Sequence, residues 1–183
     1  IQALAENRFP GIEIVDLTSS ADTFPTHLLE EKADPWADGI ATFAEAVGAD
    51  LLELKPKKET VKAHSLSKYF WGGKQVMMKE KPELLPFDRN PEEYDLLFIG
   101  TPVWAWNFTP PVNTFLSTVK LKDKKIALFC SNGGAMGKTF ENMEKELSSN
   151  KIVGKIDFKE PLKNNPEECV EQAKRWAIDI ISQ

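Results

Sequence analysis

Two kinds of apolar pattern alternate along the second half of the chain. The runs "YDLLFIG" (94–100) and "KIALFCS" (125–131) are almost unbroken, as expected for strands covered on both faces. "IVGKIDFK" (152–159) mixes apolar and polar positions and predicts a strand nearer a sheet edge. Helical patterns lie between them. Pro110 and Pro111 suit a helix start ahead of "VNTFLSTV". In "KTFENMEKELSS" (138–149), Phe140, Met143 and Leu147 fall on one face at helical spacing. The last segment carries a continuous apolar stripe through Cys169, Val170, Ala173, Trp176, Ala177, Ile180 and Ile181.

The first half reads the same way with wider gaps. "ADLLELK" (49–55) predicts a strand, preceded by the helix "WADGIATFAEAVG" with Trp36, Ile40, Phe43, Ala44 and Val47 inward and Gly48 near its end. "LSKYFWGGKQVMMK" (66–79) predicts a helix interrupted by Gly72 and Gly73, and "IEIVDL" (12–17) is the one good strand candidate upstream. Five strands alternating with about five helices point to a single α/β domain over residues 1–183: a doubly wound parallel sheet with helices on both faces. No internal repeat or low-complexity tract argues for a second unit.

Composition changes this picture little. The 183 residues are 42% hydrophobic and 28% charged, values of an ordinary globular domain. No apolar run approaches the roughly 20 residues of a membrane span, and no signal-peptide pattern is present. A net charge of −5 and short, acid-flanked lysine clusters argue against nucleic-acid binding. Cys130 and Cys169 are too few for a disulfide framework, and neither they nor His27 and His64 have metal-ligand spacing. A cytoplasmic, metal-free protein is expected. Ile1 is not an initiator methionine, so residues ahead of it are expected to be missing or processed.

The chemistry is expected in two loops that follow strands, since ligands of such sheets bind beyond the carboxyl ends. "TPVWAWNFTPPVNTF" (101–115) places Trp104 and Trp106 just after an apolar strand. Side chains that large either pack beneath a loop or wall a flat ligand. "CSNGGAMGKTF" (130–140) offers Gly133, Gly134 and Gly137, which form a turn and helix entry or let backbone approach a ligand. "GGAMGK" lacks the spacing of a phosphate-binding GxxxxGK[ST] loop. Cys130, at a strand end, reads as a buried small hydrophobe. No Ser-His-Asp or Cys-His arrangement is evident.

"YDLLFIGTPVWAWNFTPPVNTFL" and "KKIALFCSNGGAMGKTFENM" resemble the flavodoxin-like proteins of bacteria and archaea. "KYFWGGKQVMMKEKPEL" and "IVGKIDFKEPLKNNPEECVEQAKRWA" extend that resemblance from about residue 40 to the end. The resemblance implies a five-stranded parallel sheet in the order 2-1-3-4-5, with FMN at its carboxyl edge. It also implies that Thr101, Pro102, Val103, Trp104, Ala105 and Trp106 border one side of the flavin ring. Ser131, Asn132, Gly133, Gly134 and Gly137 would form the second ring-binding loop.

The front of the chain departs from the family, which carries a hydroxyl-rich [ST]-x-T-G-x-T loop for the FMN phosphate. Counting back from "AEAVGADLLEL" gives "EKADPW" (31–36), where Glu31 and Asp34 would repel a phosphate and Pro35 lacks an N–H. A second register places Thr18, Ser20 and Thr23 after "IEIVDL" at the family spacing, with Ala21 in the glycine position. In that register "FPTHLLEEKADPW" is an insertion. Residues 1–35 are thus an atypical N-terminal region. Two functions follow from the resemblance. One is FMN-dependent electron transfer, or reduction of quinone-like acceptors, with a redox protein or small molecule as partner. The other is a flavodoxin-like module that has lost FMN. "KYFWGG" leaves a homodimer interface open beside core packing.

Overall fold

The computed structural model describes residues 12–16, 35–58, 74–161, 163 and 165–183. Their strands are β1 (Ile12–Asp16), β2 (Asp50–Glu53), β3 (Leu96–Pro102), β4 (Lys125–Asn132) and β5 (Lys151–Lys159). The helices are α1 (Pro35–Val47), α2 (Pro110–Thr118), α3 (Thr139–Glu146) and α4 (Pro166–Ile181). The strands form one sheet in the order β2-β1-β3-β4-β5, and every neighbouring pair is parallel. Of the helix expected over 66–79, residues 74–77 are helical, and 59–73 lie outside the described residues.

Alternation along the central strands divides the core into two layers. Leu96 and Phe98 of β3, with Ala127 and Phe129 of β4, pack against α1 and α4. Leu97, Ile99, Ile126 and Leu128 point the other way, onto α2 and α3. Every residue of β3 is buried, which is why the run reads as unbroken. In the first layer the Phe43 ring stands edge-on to Phe98 and Phe129, with centroids 5.8 and 6.4 Å away. Trp176 of α4, on the same face, meets Phe98 edge-on with ring centroids 5.5 Å apart.

Local chemistry sets the helix ends. Gly48, at φ 64°, closes α1: its N–H donates to Glu45 O and the Ala49 N–H to Ala44 O, the paired bonds of a Schellman cap. At the start of α4, Asn165 Oδ1 accepts the Glu168 N–H ahead of Pro166. Two adjacent prolines open α2. The prolines set where the helix after β3 begins, and so bound the loop between them.

Candidate functional site

β3 and β4 run side by side to their last residues, with Pro102 opposite Ser131. Their loops therefore leave the same carboxyl edge as neighbours. The Val103 N–H donates to Ser131 O at 2.8 Å, joining the loops at their base. The first loop then folds back on itself. Trp104 and Asn107 exchange both backbone hydrogen bonds, at 2.9 and 3.0 Å, around Ala105 and Trp106. Both central residues have positive φ, 46° and 63°, as in the primed turns that usually take Asn or Gly there. Left-handed backbone costs an ordinary L-residue roughly 1–2 kcal/mol. The turn holds Trp106 out into solvent, 69% exposed, while Trp104 is half-buried.

The second loop docks on that turn. The Lys138 N–H donates to Trp106 O at 3.0 Å, and Asn142 Nδ2 donates to Asn107 Oδ1 at 3.2 Å. Gly137, at φ 57°, sits against the Trp106 backbone, where a Cβ would lie 2.4 Å from Trp106 Cβ. Its lack of a side chain is therefore explained within the protein. Gly133 and Gly134 differ: a Cβ on either meets nothing within 4 Å, and neither has positive φ. Nothing in the described fold requires glycine at these two exposed positions. They leave a length of accessible backbone beside the aromatic turn.

The polar side chains of the two loops are largely committed to holding this shape. Thr101, buried, donates from Oγ1 to Pro102 O at 2.9 Å and accepts the Thr109 N–H at 3.2 Å, tying the loop's two ends. Asn132 donates to Asp157 Oδ2 and accepts the Gly134 N–H at 3.1 Å, which bends the chain into the glycines. Ser131 is buried. Trp104 Nε1 is a buried donor with no acceptor among the described residues. Burial, with a smaller contribution from Asp157, pushes the Cys130 thiol up to about 12, so it stays protonated and unreactive at neutral pH.

The predicted residues of both strand-following loops thus come together at one edge. Thr18, Ser20 and Thr23 lie outside the described residues, as do 31–34 of "EKADPW"; Pro35 and Trp36 open α1. Sequence reasoning passed over Asn107, Asn142 and Asp157. Asn107 stands within the quoted aromatic loop, but its bond partner is 35 residues away, so only the fold reveals its role. Among the described residues no group of three or more His, Cys, Asp or Glu could hold a metal ion, and no helix is long and apolar enough to cross a membrane.

A family model for flavodoxins matches residues 36–176. No curated protein matches the sequence. Among solved structures, the flavoprotein of Lactobacillus acidophilus NCFM in complex with FMN is 19% identical, with a TM-score of 0.63, covering 84% of this chain and 97% of that one. A protein of Bacteroides eggerthii classed as a flavoprotein is 20% identical, TM-score 0.64, over 93% and 98% of the two chains. A flavodoxin from the domain Archaea is 15% identical, TM-score 0.50, over 92% and 94%. At these identities the likeness speaks for the fold.

Proposed function

The chain belongs to the flavodoxin family, and from that premise we propose that it binds FMN at the carboxyl edge of its sheet. Its task is electron transfer or the reduction of quinone-like acceptors. The observation that carries this reading is the pair of glycines, Gly133 and Gly134. They present open backbone beside the aromatic turn although no contact in the described fold excludes a side chain there. A flat heteroaromatic ring laid on that backbone would account for them. The Trp104 N–H, with no acceptor among the described residues, adds a donor that an acceptor at the ring's edge would satisfy. The FMN-bound Lactobacillus acidophilus relative supports the choice of ligand.

When bound, FMN supplies the one- and two-electron chemistry. The protein's residues position and tune. Trp106 would stack on the ring, an interaction of about 1 kcal/mol beyond burial. Backbone groups of residues 133–136, other than the Gly134 N–H that Asn132 already accepts, would meet the ring's polar edge. Electron-rich indole faces and the net charge of −5 disfavour added negative charge on the ring and so lower its potential. Thr18, Ser20 and Thr23 are the proposed phosphate ligands. A redox protein or small acceptor would approach over exposed Trp106 and Met136.

The test is the absorption spectrum of the protein as isolated, followed by titration of the apoprotein with FMN. A bound flavin band, with saturable quenching of FMN fluorescence, is the expected result. Colourless protein that leaves FMN fluorescence unchanged would overturn the proposal and favour a module without cofactor.

A further inference from the structure

A cavity lies among α2, α3 and the segment 75–80, beside Asn107 of the aromatic turn. Its volume is about 240 Å³. That exceeds the roughly 150 Å³ that holds a benzene ring and falls below the range of pockets for drug-sized ligands. It is the size of one substituted ring. Phe108, Val76 and Pro110, all buried, supply apolar wall.

One polar group in the wall has no partner among the described residues. Gln75 is only 7% exposed, and its Oε1 is buried with no hydrogen bond from any of them. The neighbouring amides are engaged: Asn113 Nδ2 donates to Lys79 O and Glu80 O, and Asn142 Nδ2 donates to Asn107 Oδ1. Buried acceptors are nearly always satisfied, so the Gln75 oxygen calls for a donor that the described residues do not supply. The charges lining the cavity cancel, Lys79 and Lys145 against Glu80 and Glu146, and Lys145 already pairs with Glu141 at 2.6 Å. The cavity therefore offers a charged ligand no net attraction.

We propose that this cavity is a second ligand site for a neutral, single-ring compound carrying one O–H or N–H donor. The donor bonds Gln75 Oε1 while the ring lies against Phe108 and Val76. The site uses no residue proposed for FMN and stands whether or not flavin binds.

Phenol and anisole are the probes: the same ring, with the donor present or methylated away. Each is titrated into the full chain while side-chain amide resonances of Gln75, Asn113 and Asn142 are followed by NMR. Phenol should shift them saturably, with a Kd about tenfold or more below that of anisole, because the analogue leaves a buried acceptor unpaired. Gln75→Leu should abolish that preference. Equal binding of both probes, no saturation, or shifts confined to the Trp104–Asn107 turn would overturn the proposal. The phenol–anisole comparison in the unaltered protein decides even if the variant folds poorly. An FMN titration of the same sample is read by fluorescence, so either site can fail alone.

Discussion

Gly137 and Trp106 approach so closely that a single added carbon would not fit: a Cβ on Gly137 would lie 2.4 Å from Trp106 Cβ and 2.7 Å from Trp106 O. This contact seats the glycine loop on the aromatic turn. Gly137→Ala combines left-handed strain with that clash, and should cost about 2–4 kcal/mol. Urea denaturation would show it as a lowered midpoint at unchanged slope. An unchanged midpoint would mean the loop does not depend on the contact.

Gly133→Ala and Gly134→Ala separate ligand from fold. With open space around both positions and no positive φ, each should leave the apoprotein as stable as before, or raise stability by about 0.4–1 kcal/mol. FMN affinity should fall for at least one of them. Denaturation and fluorescence titration on the same preparations give the two answers. Unaltered affinity in both would remove the glycines as support for a ligand.

Ala105 and Trp106 carry left-handed backbone without glycine. Ala105→Gly should relieve about 1–2 kcal/mol of strain and lose about 0.5–1 to added chain entropy, a net gain of up to about 1.5 kcal/mol. Trp106→Gly relieves the same kind of strain but removes the exposed indole, and should weaken FMN binding. The contrast in titrations of the two variants assigns strain and stacking separately.

Cys130 should leave a signature in alkali. Its folded thiol holds its proton up to about 12, against 9.0 for the free group. The contribution is complete below about pH 9 and is lost as pH rises toward about 12, because the unfolded thiol ionises first. Cys130→Ala should flatten that part of the stability profile, measured by denaturant unfolding across the range. Native Cys130 should also resist iodoacetamide at neutral pH.

The sheet was legible because burial on both faces writes itself as an unbroken apolar run: β3 and β4 show it along almost their whole length. Both loops were legible because bulky indoles and clustered glycines are unusual after such strands. The hairpin turn was not. Its central pair, Ala105 and Trp106, is not the Asn or Gly that announces left-handed backbone, so only the folded structure reveals it. The tie from Asn142 to Asn107 and the cavity at Gln75 were equally hidden. They arise where segments distant in sequence meet, and no local pattern encodes such a meeting.

Three bonds, from Val103 to Ser131, Lys138 to Trp106 and Asn142 to Asn107, tie the two rims directly to each other. Jaws tied to each other in this way surrender little freedom when they fill. Cutting one of these ties should then shorten residence time far more than it slows capture, and stopped-flow traces would separate the two.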